Sequence, residues 1–229
     1  MICSHLDNMQ ILLDRTLLGS SNQLILHKPD SIFYFIPITK NASSFTYDCF
    51  SQIGWNYYKL DSLDEVINKI PIVILRDPVD RWCSGFAQDY SSNQLNYDLQ
   101  NNNVIDNLFF KGFFGSHTYT QHWFLHKFNL LNAIFIKFTE SYLDIVNIFK
   151  DNIDDINQIK YDNIIGTSNK SHQIEIKLKQ QYELKESNRE NLKRYLWHDL
   201  ELFKKANFID ETKTLQNYKL WDSFKKEKL

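Results

Sequence analysis

The run Pro71-Ile-Val-Ile-Leu75 constrains this chain more than any other feature. Five apolar residues in a row leave no position for a wetted face. A strand here must be covered on both sides, as the central strands of parallel sheets are. It leads without a linker into Arg76-Asp77-Pro78, where Asp77 is placed to cap a helix with Pro78 at its first position, running to about Tyr90. The same alternation occurs upstream. Ser31–Ile38 is a bulky, β-prone run bounded by Pro29-Asp30 and the polar Thr39–Ser44. A helix follows from Ser43 or Ser44 to about Gly54, and Trp55–Leu60 reads as another short strand. Two βαβ units in succession predict an α/β fold with an open, mostly parallel, doubly wound sheet.

Further along, Ser62-Leu-Asp-Glu65 is a capping box that opens a helix through Ile70. Ser91–Asn103 is polar and Asn-rich, a surface loop. Thr118–Leu131 reads as a helix, Ala133–Phe138 as a strand and Glu140–Lys150 as the helix after it. The last third is helical and charged, with a second capping box at Ser187-Asn-Arg-Glu190 leading into the amphipathic segment Leu192–Phe208. No repeat, Pro-rich linker or charge block divides the chain. One domain is therefore expected over residues 1–229, its core at about 31–208, with an N-terminal extension (1–30) and a charged tail (209–229).

Composition narrows the function classes. With 17 Phe, 12 Tyr and 5 Trp there is ample core material, and only 4 Pro and 6 Gly argue against disorder. Trp55, Trp82 and Trp123 are most simply core or groove aromatics. A formal charge of -2 excludes a general nucleic-acid binder, which carries a basic excess or stripe. The longest apolar runs are far too short to span a bilayer. The three cysteines, Cys3, Cys49 and Cys83, form no CxxC pair, and the N-terminus lacks a basic segment followed by an apolar one. Reduced thiols in a cytoplasmic protein are the expectation.

Two segments carry chemistry. In the first, an apolar strand ends in Thr39-Lys40-Asn41-Ala42-Ser43-Ser44 at a helix start. Helix N-terminal N–H groups and the dipole favour an anion, and Lys40 adds a mobile cation. The loop is not a Walker A motif, since GxxxxGK[ST] is absent. An ordinary capped turn with a solvated lysine is the alternative. In the second, the strand delivers Arg76 to its carboxyl end, where open α/β sheets bind ligands. Ser84 follows about two turns along the helix, so the two side chains are placed to hold a phosphate. Asp77 and Arg81, four residues apart, can pair on the helix surface.

Lys40-Asn-Ala-Ser-Ser-Phe45 and Leu75-Arg-Asp-Pro-Val-Asp-Arg-Trp-Cys-Ser-Gly-Phe86 together resemble the two donor-binding signatures of the sulfotransferases, most closely those of the carbohydrate-modifying branch. His117-Thr-Tyr-Thr-Gln121 is similar to that branch's H-W-x-P-Q segment, without its Trp and Pro. Phe135–Glu140 is similar to its strand ending in glutamate, Asn169-Lys-Ser171 to its N-x-S turn, and Tyr195–Phe203 to its Y-x-x-D-x-x-[LI]-F helix. The likeness spans roughly Phe33 to Phe208. The family's proline directly precedes its lysine, whereas Ile38 and Thr39 separate Pro37 from Lys40 here.

The resemblance implies a P-loop-like phosphosulfate-binding loop and transfer of a sulfuryl group from 3′-phosphoadenosine 5′-phosphosulfate to an acceptor hydroxyl, with adenosine 3′,5′-bisphosphate as product. Lys40, Asn41, Ala42, Ser43 and Ser44 would bind the 5′-phosphosulfate, and Arg76 and Ser84 the 3′-phosphate. Lys40 and His117 would be the catalytic residues, and no metal is required. The acceptor would be a small molecule or glycan, and residues of Ser91–Tyr119 are candidates to line its cleft. For His117, a capping or substrate-contacting role remains open beside that of base. A nucleotide kinase with a degenerate phosphate loop, or an inactive nucleotide-binding protein, is the alternative function. His122 and His126 have a spacing that can chelate zinc but lack the glutamate of HExxH.

Overall fold

The computed structural model describes residues 24–91, 105, 116–138, 147–150, 152–160 and 169–209. Residues 1–23, most of the Asn-rich loop, most of the Glu140–Lys150 helix and the charged tail beyond 209 lie outside the described residues, as does Cys3.

Six strands form one mixed sheet in the order β3-β1-β2-β4-β5-β6. They are β1 (Leu24–His27), β2 (Phe33–Phe35), β3 (Asn56–Lys59), β4 (Ile70–Leu75), β5 (Ile134–Lys137) and β6 (Phe208–Ile209). Strands β2, β4, β5 and β6 run parallel, with Phe35 opposite Ile72 and Ile74 opposite Ile136. The expected mostly parallel sheet is corrected on its other side: β1 pairs antiparallel with both β2 and β3. All four residues of β3 are exposed. Such a strand cannot occupy the doubly covered interior of a parallel sheet and takes an antiparallel edge instead. Residues 24–27, read as part of an extension, are therefore an internal strand of the sheet.

Side chains alternate between the two faces, as the strand period requires. Phe33, Phe35, Ile72, Ile74, Ile134 and Ile136 enter a core with Phe45, Cys49 and Phe50 of α1 (Ser43–Phe50). Tyr34, Ile36, Val73 and Leu75 enter the opposite core with Leu125 of α3 (Gln121–Leu125) and, at its margin, Leu202 and Phe203 of α6 (Trp197–Lys205). A third cluster joins α2 (Pro78–Ser91), α4 (Asn169–Leu184) and α5 (Glu186–Tyr195) through Trp82, Phe86, Leu178 and Leu192. Cys49 and Cys83 are buried free thiols.

Several helices are shorter than their sequence signals. The capping box at Ser62 is present, yet it opens only a 3₁₀ turn over Leu63–Val66. Ile70 is already paired with β2 through its N–H to the Ile32 carbonyl (2.8 Å), so the strand claims it first. The helix expected over Thr118–Leu131 is a 3₁₀ turn, Ser116–Thr118, followed by α3, which Thr120 caps. Ser187 lies inside α5, whose N-cap is Lys185, so the second capping box does not form. The expected Leu192–Phe208 helix breaks at Leu196 and ends at Ala206, giving way to β6. Asn169-Lys-Ser171 opens α4. Among the described residues no helix is long and apolar enough to cross a membrane.

Phe50 is fully buried, 4.8 Å from the Phe35 ring and 5.2 Å from that of Trp55. Phe50→Ala should cost about 3–5 kcal/mol in urea unfolding, the range for a large core aromatic. A loss below about 1 kcal/mol, no more than a surface change costs, would mean that α1 is not packed on the sheet as described.

Candidate functional site

Strand β2 and the residues after it deliver a turn in which Lys40 (φ 67°) and Ala42 (φ 59°) both adopt the left-handed conformation. Neither is glycine, so each costs about 1–2 kcal/mol. The turn is held from both sides. The Asn41 side chain is buried and donates to the Ile74 carbonyl (2.7 Å) and to Gln121 Oε1 (2.5 Å). Arg81 donates from Nε to the Thr39 carbonyl (3.0 Å) and from a terminal nitrogen to Thr39 Oγ1 (3.2 Å). The Asn41 N–H bonds the Ile38 carbonyl. Asn41 thus shapes the turn, while Ala42, Ser43 and Ser44 supply the first-turn N–H groups of α1.

Lys40 Nζ donates to Gln88 Oε1 of α2 (2.7 Å). Burial and the neighbouring Arg76 hold its ammonium below the usual lysine range, with Glu175 and Asp89 opposing them. Arg76 ends β4 on the same edge of the sheet. Its guanidinium reaches the Lys40 carbonyl (3.5 Å), pairs with Glu175 of α4 (3.0 Å) and lies 5.1 Å from the Phe138 ring centre. Glu175 also meets Lys179 (3.1 Å), which bonds Asp80 of α2 (2.7 Å). Ser84 is buried on α2 one turn before Gln88. The surface pairing of Asp77 with Arg81 does not occur. Asp77 caps α2 by accepting from the Val79 and Asp80 N–H groups (3.0 Å each).

His117 sits on the 3₁₀ turn that crosses α2 at Gly85. A Cβ on Gly85 would stand 2.1 Å from the His117 carbonyl oxygen, so no larger residue permits this approach. One helical turn on, Asp89 is completely buried, and its Oδ1 pairs with His117 Nδ1; the imidazole itself is 26% exposed. The rest of the segment is fixed by the C-terminal helices. The Tyr195 hydroxyl donates to the Thr118 carbonyl (3.2 Å), and Asp199 accepts from the Gln121 and His122 N–H groups (2.6 and 2.7 Å). Arg81 spans the Lys40 and His117 segments, donating to the Tyr119 carbonyl as well as to Thr39. Burial lowers this guanidinium to about 10, against the attraction of Asp199.

The structure therefore brings Lys40, Arg76, Ser84 and His117 to one side of the sheet, around α2. Gln88, Asp89, Gln121, Glu175 and Asp199 complete the site and were not singled out from the sequence as polar partners, while Arg81, expected on the helix surface with Asp77, is buried within it instead. Asp89 carried one usable signal: a carboxylate amid Phe86, Ala87 and Tyr90, four residues after the glycine. His122 stacks on His198 (4.7 Å between ring centres) and lies 6.4 Å from His126. Among the described residues no group of three His, Cys, Asp or Glu side chains is placed to hold a metal.

Comparison with protein-family models, with curated proteins and with solved structures returned no match.

Gly85 supplies a test whose sign is informative. Helix propensity alone favours Gly85→Ala by about 0.8–1.0 kcal/mol. The clash with the His117 carbonyl should reverse this, giving a net loss of about 1–3 kcal/mol in chemical denaturation. A stabilised variant would show that the histidine turn does not rest on α2.

Proposed function

We propose that this chain is a sulfotransferase that moves a sulfuryl group from 3′-phosphoadenosine 5′-phosphosulfate to an acceptor hydroxyl, that of a carbohydrate fitting the resemblance best. The observation that carries the reading is the meeting of Lys40, Arg76 and a carboxylate-paired His117 around one helix at the carboxyl edge of β2 and β4. Three segments far apart in sequence supply two cations and a base, which is what the chemistry needs. In this reading the turn Lys40–Ser44 acts as a P-loop-like cradle. Its helix N–H groups hold the 5′-phosphate, and Arg76 with Ser84 holds the 3′-phosphate.

In an in-line displacement the acceptor oxygen bonds to sulfur as the bond from sulfur to the phosphate oxygen breaks, and the electron pair stays on the phosphate. Lys40 stabilises that developing charge, where a preformed cation is most effective. His117 takes the proton of the acceptor hydroxyl through Nε2, since Nδ1 is engaged by Asp89. A cytoplasmic location accords with this donor. The second reading is a nucleotide-binding protein, a kinase or an inactive relative. The observation favouring it is that Arg76 already has an internal carboxylate, Glu175.

Thermal shifts should separate the readings, because a ligand stabilises the state it binds. Adenosine 3′,5′-bisphosphate should raise the melting temperature more than ATP with Mg²⁺; the reverse order would favour the kinase. Arg76→Ala should weaken adenosine 3′,5′-bisphosphate by about 1.5–3 kcal/mol while hardly affecting adenosine 5′-phosphate. Equal losses would make Arg76 structural. With a sulfuryl donor, Lys40→Ala should lower kcat more than it raises the donor KM. A change confined to KM would remove Lys40 from the transition state.

A further inference from the structure

Helix α2 grips both reactive side chains with two consecutive residues. Gln88 Oε1 accepts from Lys40 Nζ, and Asp89 Oδ1 meets His117 Nδ1. The separation between cation and base is thus set within a single turn of one rigid helix. Asp89 is completely buried, so its carboxylate is not there for solubility or for a surface ion pair. The Gly85 approach holds the His117 backbone against the same helix, which leaves the imidazole little freedom to turn away.

We infer that Asp89 is the positioning residue of His117, fixing the imidazole as the tautomer with its proton on Nδ1 and its lone pair on Nε2. A carboxylate can only accept a hydrogen bond, so the nitrogen facing it must carry the proton. The distal nitrogen is then the basic one, and the ring is held in one orientation. When Nε2 takes the acceptor proton the imidazole becomes a cation, and the buried carboxylate stabilises it without itself being protonated. The inference rests on the sulfotransferase reading for its kinetic consequence but not for its structural one.

The experiment has two arms. Nitrogen-15 NMR of the unsubstituted protein, with His117 assigned by comparison with His117→Ala, should show Nδ1 protonated and Nε2 unprotonated when the ring is neutral. The opposite tautomer would overturn the inference without any variant having to fold. In the second arm Asp89→Asn should lower kcat by about 10²–10⁴-fold, with the affinity for adenosine 3′,5′-bisphosphate unchanged. The double variant Asp89→Asn/His117→Ala should be no slower than His117→Ala alone, because residues acting as one unit are not additive. Additive losses would mean that Asp89 acts independently of the histidine. If the tautomer is as expected but no sulfuryl transfer occurs in the unsubstituted protein, the function falls and the placement of His117 stands.

Discussion

The buried guanidinium of Arg81 is the contact on which the arrangement of this site depends. It is fully enclosed, and it ties the turn before Lys40 to the segment after His117 through Thr39 and Tyr119. Burying such a charge is tolerable only with its donors satisfied and an opposite charge near. Asp199 is the carboxyl whose attraction favours the charged guanidinium, although burial pushes its own pKa up, and it accepts from the first two N–H groups of α3. Through the contacts of Arg81 to Thr39 and Tyr119, and those of Asp199 to Gln121 and His122, the C-terminal helices are coupled to the first βα turn. A hydrophobic side chain in place of Arg81 would fill the space but would not fix the Thr39 and Tyr119 carbonyls in register.

That register matters because the Lys40 turn is strained. Two non-glycine residues in the left-handed region together cost roughly 2–4 kcal/mol, and the turn persists only because its surroundings leave it no alternative. Asn41 plugs into the carbonyl of Ile74 and into Gln121, and Gln121 in turn brackets Arg76 by accepting from its N–H and donating to its carbonyl. One glutamine thus reads both strand ends at once. The order of dependence runs from Asp199 to the Gln121 backbone, from Gln121 to Asn41, and from Asn41 to the positions of Lys40 and the first turn of α1.

Much of the frame was legible in the sequence because it is written in local patterns. Pro71–Leu75 declared a doubly covered strand, and Asp77-Pro78 declared the start of α2; both stand as read. What failed was non-local. Leu24–His27 carries no signal that it will pair between β2 and β3, and the polar Asn56–Lys59 takes its place at the antiparallel edge only because β1 is there. Helix lengths were overestimated where a strand or a cap laid claim to the same residues, as at Ile70 and Thr120. At the site, Lys40, Arg76 and His117 could be named from their motifs. Their partners could not, since Gln88, Asp89 and Glu175 acquire meaning only when α2 and α4 are folded against the sheet edge. Arg81, read as a surface partner of Asp77, is the sharpest case: its spacing fitted a helix-face ion pair, and burial decided otherwise.

The cations of this cluster are set against carboxylates from α2, α4 and α6. Lys40, Arg76 and Arg81 are set against Asp89, Glu175 and Asp199, so each cation of the cluster has a carboxyl group acting on it. Without Glu175, Arg76 and Lys40 would face each other with only partial screening, and their repulsion would add to the strain of the turn. The carboxylate is partly buried, at 14% exposure, and is further held by Lys179. For the function proposed above, a phosphate at Arg76 would either share the guanidinium, whose planar fork has donors for two acceptors, or displace Glu175 onto Lys179, which already contacts it. Either route keeps every charge partnered. Glu175 thereby offsets the cationic edge of the sheet in the folded chain.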